Sequence, residues 1–440
     1  MKKFFIPLLI LIACYTACQN KKTGNIKDIN DADVLHQNED KLTQLIIYDV
    51  FTPPVASRIY AYASLASYEA VRFGQPGYES LTAQLKGFDA MPQPEKDKTY
   101  NFTLAATQAF FTVARKVTFS VDSLKAYEDG LHARFKNALD DSTYAWSVAF
   151  GNKIAKTIIK RLVTDNYLQT RGKPRFLGSN APGKWHPTPP DYLDGVEYCW
   201  GTMKTFALDS SNRISIPPPP PYSQDKNSDY YKQNVAVYEQ SKNLTDEQKD
   251  IARYWDDNPF VLEHAGHLTF ANKKITPGGH WIGITAIACK ETHADAVKTA
   301  QAYALTAVSM FDAFVCCWNT KYETNYIRPV SVINDKIDPT WTSRLQTPPF
   351  PEYPSGHSTI TRAAAVMLTH LFGDNFAFQD TSDLRYIGMK RDFKSFVQAA
   401  DEASISRFYG GIHYKNSVEQ GALQGKKVSD YIISQLKIKK

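Results

Sequence analysis

The chain holds few cysteines, no Cys-x-x-Cys pair, no long run of lysine or arginine and no internal repeat. After residue 18 the cysteines are Cys199, Cys289, Cys316 and Cys317, and the last two are adjacent in a helical pattern. That excludes a disulfide scaffold and the usual zinc spacings. Without a basic run, and with a formal charge of only +6, nucleic acid is not an expected partner. After the leader no stretch of about 18 apolar residues stands out, so no membrane-spanning segment is expected there. Alternating strand patterns are scarce and short.

What is present is a chain of 440 residues, 43% hydrophobic and 13% aromatic, with 25 Tyr and 24 Phe. That is enough for a large core whose interior or clefts are ring-rich. The first residues read as an export signal. Lys2 and Lys3 precede an apolar stretch from Phe4 to Ala17, and Cys18 is followed by polar Gln19-Asn20-Lys21-Lys22. Tyr15-Thr16-Ala17-Cys18 resembles a bacterial lipobox, so lipidation at Cys18, with Cys14 as the alternative, predicts an exported protein held to a membrane by lipid alone.

Helical periodicity dominates the rest. Pro53-Pro54 can open a helix carrying Ile59, Tyr62, Ala63, Ala66 and Ala70, and others are expected over Phe102 to Val117 and before Asp165. Leu177 to Tyr222 is rich in proline, with Trp185, Tyr192, Tyr198, Trp200 and Phe206 interleaved, which predicts an ordered cover over the helices. Helical pattern resumes near Thr245. It continues through Val297 to Trp318 and His357 to Phe372, and ends with Val418 to Leu436. The expected fold is all-α, packed helical bundles with that cover. The divisions are a leader (1–18), a polar tether (19–40), an N-terminal helical region (41–176), a connecting segment (177–240) and a C-terminal bundle (241–440).

Three segments of that bundle form one anion-binding set: Lys321-x6-Arg328-Pro329, Pro354-Ser355-Gly356-His357 and Ser406-Arg407-x5-His413. They supply three cations expected to stay charged at neutral pH, two imidazoles and a Ser-Gly turn at a helix start. Such a set suits a tetrahedral oxyanion passing through a five-coordinate state. Pro329 disfavours helix at Arg328, which places that cation just past a helix end. Ser355 suits an N-cap, and Gly410-Gly411 allows a tight turn before His413.

These segments resemble the three-part signature of vanadium-dependent haloperoxidases and type 2 phosphatidic acid phosphatases. The likeness extends to Trp318, Phe350-Pro351-Glu352-Tyr353, Gly183-Lys184-Trp185, Tyr254-Trp255-Asp256-Asp257 and Pro277-Gly278-Gly279-His280-Trp281. The resemblance implies vanadate bonded by His413, or phosphorus attacked by it. Lys321, Arg328, Arg407, Ser355 and the Gly356 N–H hold oxygens, and His357 is the acid–base group. Trp318 and Phe350 resemble halide-pocket positions, and Asp257 resembles a partner of one of the cations. The family often carries an Asp four residues after the last histidine. Here that position is Ser417, with Ser417-x-x-Gln420 expected to cap a helix.

Two activities follow from the resemblance. One is halide oxidation by hydrogen peroxide with vanadate as cofactor, which needs no haem or flavin. The other is phosphomonoester hydrolysis through phosphohistidine, with phosphate in the same site. A non-catalytic oxyanion-binding lipoprotein is a third reading, and a zinc site from Glu263, His264, His267 and His280 a fourth, though their spacing fits no standard pattern.

Overall fold

The computed structural model describes residues 31–439, apart from 260, 261, 266, 272 and 273. The leader, Cys14 and Cys18 lie outside the described residues. In chain order the helices begin with α1 (Asp31–Tyr48), α2 (Pro53–Val71), α3 (Phe102–Ala114), α4 (Val121–Ala138), α5 (Asp141–Leu162) and α6 (Tyr167–Arg171). They continue with α7 (Asp229–Lys242), α8 (Asp246–Tyr254), α9 (Pro277–Glu291), α10 (Ala296–Thr324) and α11 (Pro329–Lys336). The last are α12 (Gly356–Phe372), α13 (Leu384–Ile387), α14 (Phe396–Tyr409) and α15 (Lys415–Gln435). Two short antiparallel ribbons complete the described elements: β1 (Leu262–Ala265) with β2 (Leu268–Ala271), and β3 (Phe378–Asp380) with β4 (Arg391–Phe393).

The fold is therefore all-α, with α10 at its centre. On one side α10 packs against α2, which is backed by α3 and α5; on the other it packs against α12, which is backed by α14 and α15. Helix α10 is long and apolar enough to cross a membrane, contrary to the expectation that no such run follows the leader, yet its whole apolar window is buried inside the protein. Thr, Ser and Gln distributed between its apolar residues had broken the run in the sequence.

Three boundaries differ from expectation. The end of the expected tether, residues 31–40, is helical: Val34, Leu35, Leu42, Leu45 and Ile46 form a buried stripe that the Asp- and Asn-rich composition obscured. Helix α7 begins at Asp229, inside the connecting segment assigned to 177–240; Ser228 caps it, and only Tyr230, Asn234 and Val237 are buried. Helix α15 begins at Lys415, so Ser417 lies in its first turn and does not cap it.

The Pro-rich cover is ordered by aromatic and backbone contacts. Trp185 stacks on Phe176 at 5.9 Å, and Phe206 packs on Phe311 of α10 at 4.9 Å. The Asp312 carboxylate of α10 accepts from the N–H groups of Phe206, Ala207 and Leu208 at 2.7, 2.8 and 3.2 Å. Tyr353 and Tyr326 donate their hydroxyls to the carbonyls of Pro217 and Pro220. Of the four described cysteines, Cys289, Cys316 and Cys317 are buried, Cys199 is partly exposed, and none is bridged.

Candidate active site

The three cations reach one place from three helix ends. Lys321 lies in the last turn of α10, which Asn325 closes in the left-handed region at φ 46°. Pro329 opens α11, leaving Arg328 outside it with extended backbone (φ −81°, ψ 151°). Arg407 lies in the last turn of α14. All three are buried. Their donors meet neutral acceptors. Lys321 Nζ donates to the carbonyls of Pro351, Glu352 and Pro354. Arg328 donates to the Phe350 and Ile412 carbonyls at 3.0 and 2.8 Å. Arg407 donates to the carbonyls of Trp255 and Asp256 and to the Ser406 hydroxyl. Among the described residues none of the three makes a carboxylate ion pair. Three buried basic groups with no carboxylate in hydrogen-bond contact create strong demand for an anion.

The turn and the histidines face this group. Ser355 caps α12, its side chain accepting from Ser358 N–H. The Gly356 backbone lies against the Trp318 ring and Lys321, where an added Cβ would be 3.4 Å from the ring and 3.8 Å from Lys321 Cε. His357 is the most exposed of the site histidines, and its buried Nε2 has no partner. Arg328 Nη2 is likewise buried and unpartnered. Gly411, at φ 75°, turns the chain from α14 into His413. His413 Nε2 lies 3.2 Å from Arg328 Nη1, and its Nδ1 lies 2.7 Å from Glu352 Oε1.

Electrostatics follow from burial and from the cations. Burial, then Arg328, Lys321, Arg407 and His357, holds His413 well below the ordinary imidazole range. Burial, then Arg407, His280 and Lys321, does the same for His357. Both rings are therefore neutral at pH 7, which leaves each a nitrogen lone pair. Burial brings Lys321 down to about 7, so of the three cations expected to be permanent only the two guanidiniums are. Arg328 is lowered by burial to about 10 and stays charged at neutral pH. Burial pushes Glu352 up to about 7, against the pull of Arg328 and Lys321.

The structure thus brings together Lys321, Arg328, Ser355, Gly356, His357, Arg407 and His413. Trp318 and Phe350 form one wall, with ring centroids 5.0 Å apart, and Lys321 Nζ lies 5.1 Å from the centroid of the Phe350 ring. Asp257 bonds His280 Nδ1 at 3.1 and 3.2 Å, and its negative charge also acts on Arg407. His280 Nε2 bonds Asp380 at 2.9 Å. Burial lowers the His280 pKa, but Asp257 and Asp380 overcome this and raise it well above the ordinary value. His280 therefore serves as a bridge between carboxylates, and His267 is exposed, so the four-residue zinc set does not assemble from its described members. The side chains of Glu263 and His264 lie outside the described residues. Glu352 had been only one letter of a resembling segment, and its contact with His413 spans 61 positions.

A buried, donor-rich cradle around one imidazole lone pair defines an oxyanion-binding helical-bundle protein. A family model for the second helical-bundle domain of VCPO matches residues 301–438. The solved structure described as the first bacterial vanadium-dependent iodoperoxidase is similar over 93% of this chain and 98% of its own, with 43% identity and a TM-score of 0.88. The chain belongs to the vanadium-dependent haloperoxidase family. Holo- and apo-type structures of a bacterial vanadium-dependent chloroperoxidase share the fold. They are 19% and 18% identical, with TM-scores of 0.69 and 0.65, covering 89% and 88% of this chain and 93% and 95% of theirs. No curated protein matches the sequence.

Proposed function

We propose that the protein is a vanadate-dependent haloperoxidase that oxidises halide with hydrogen peroxide, with iodide as the preferred halide to test. The observation that carries this is the set of three buried cations without carboxylate partners, converging on a neutral His413. The residues present fit vanadate. Arg328 Nη2 and His357 Nε2 are buried polar atoms awaiting a partner, and the remaining donors can turn from carbonyls to anionic oxygens. Bound vanadate supplies Lewis-acid activation of peroxide without changing oxidation state.

The chain's own residues do the rest. His413 Nε2 offers the lone pair that bonds the central atom. Arg328, Arg407 and Lys321 would hold the surrounding oxygens, with the Ser355 hydroxyl and the Gly356 N–H at the start of α12. Neutral His357, nearest to solvent, takes a proton from the incoming peroxide and passes it outward. Trp318 and Phe350 exclude water on the side where halide would approach. Iodide is put first because the 43% identical structure is described as an iodoperoxidase.

The test uses the purified protein with vanadate, peroxide and iodide or bromide, read as triiodide or tribromide absorbance. A parallel arm measures p-nitrophenyl phosphate hydrolysis without vanadate. Vanadate-dependent iodide oxidation, reduced at least 10³-fold in His413→Ala, is the expected result, since loss of a bonding residue removes catalysis on this order. Absent halide oxidation, together with phosphate-ester hydrolysis abolished by His413→Ala, would replace this reading with phosphohistidine chemistry.

A further inference from the structure

We infer that Glu352, on the turn preceding α12, is the positioning carboxylate of His413. It fixes the ring as the Nδ1–H tautomer and keeps the Nε2 lone pair turned toward the oxyanion. The inference rests on the reading of His413 as the residue that bonds the oxyanion.

The tautomer follows from donor chemistry. Arginine has N–H donors and no acceptor, so the Arg328 Nη1 contact at 3.2 Å makes His413 Nε2 the acceptor. The ring proton of neutral His413 is then on Nδ1, and it is donated to Glu352 Oε1 at 2.7 Å. The same oxygen accepts the Tyr414 N–H at 3.1 Å, which ties the carboxylate to the backbone beside the histidine. Glu352 is itself fixed at both ends of its peptide. Its N–H donates to the Tyr326 carbonyl at 2.9 Å, and its carbonyl accepts from Lys321 at 3.0 Å. Carboxylate, imidazole and two of the cations therefore form one rigid unit with no solvent-exposed member.

Position 417, one turn beyond His413, carries a neutral serine. The Ser417 Oγ lies 3.5 Å from the Glu352 carbonyl oxygen and supplies no charge to the ring. The carboxylate that meets the ring in this chain therefore comes from the loop before α12 and not from position 417. A carboxylate on the far nitrogen of a ligating histidine orients the ring and raises its basicity, and removing such a partner typically costs about 10- to 100-fold in affinity.

Two anions separate this role from a merely structural one. Vanadate bonds His413, whereas sulfate is held by charge and hydrogen bonds alone. In Glu352→Gln, vanadate should bind about 10- to 100-fold more weakly in equilibrium dialysis. Sulfate should bind as tightly as in the parent or more so, because a negative charge has left the cradle. Adding Ser417→Asp to Glu352→Gln should return vanadate affinity to within about threefold of the parent, since it restores a buried carboxylate to the same ring. Vanadate affinity unmoved by Glu352→Gln, or equal weakening of both anions, overturns the inference. A parent protein that binds sulfate but not vanadate overturns instead the reading on which it rests.

Discussion

At the scale of the residue, the most consequential group is Lys321, because its charge is conditional. Its ammonium is satisfied by three carbonyls, and burial lowers its pKa to about 7. The charged form is present below that value and lost as pH rises through it, so affinity for a tetrahedral anion of fixed charge should fall above pH 7. Sulfate suits the measurement because it does not titrate there. Calorimetry between pH 6 and 9 should show affinity dropping by up to about tenfold per unit above the lysine's pKa, the limit for one linked proton. Lys321→Met should bind weakly with a shallower profile that keeps only the share of Glu352, which burial also brings to about 7, and a flat profile in the parent would mean that the lysine is not a linked group. The cations and histidines were legible in the sequence because each lies in a short motif with a turn or helix end beside it. Glu352 was not, since its contact with His413 depends on how two distant loops meet, and the family resemblance directed attention to Ser417. The only local trace was a lone acidic residue in the apolar run before Ser-Gly-His.

At the scale of the element, the site depends on how closely α15 crosses α12. A Cβ at Gly425 would lie 2.0 Å from the Thr359 carbonyl oxygen, and one at Gly421 would lie 2.6 Å from that of Ser355. The Ser355 N–H donates to the Ser417 carbonyl at 3.1 Å, so the two helix starts that carry His357 and His413 are joined directly. Gly425→Ala should push the helices apart, costing about 1–3 kcal/mol as overpacking does, and should weaken vanadate binding although residue 425 touches no anion. Urea melts with parallel dialysis would check both, and unchanged affinity would show that the crossing does not set the site. The strong helices α10 and α12 were readable from their periodic stripes. The starts of α1 and α7 were not, because α1 buries polar His36, Asn38 and Glu39 beside its apolar residues and α7 buries only three residues, so tertiary packing and not pattern sets both faces.

At the scale of the whole molecule, α10 belongs to both bundles, α2 on one flank and α12 on the other, so neither has a core without it. Unfolding should therefore be a single transition, with far-ultraviolet circular dichroism and tryptophan fluorescence changing together. Two separated transitions would show that the bundles are energetically independent. The all-helical class was evident in the sequence because strand alternation was scarce, whereas the shared central helix emerges only from packing.

The sealed thiols acquire a meaning at this scale. A catalyst that releases electrophilic halogen is the nearest target of its own product, and sulfur reacts before most other side chains. Cys289, Cys316 and Cys317 have at most 1% of their surface accessible, and Cys317 Sγ, though 4.0 Å from the Pro354 carbonyl, reaches the site only through the protein interior. Cys199, the one partly exposed thiol among the described residues, is therefore the one left open to such attack.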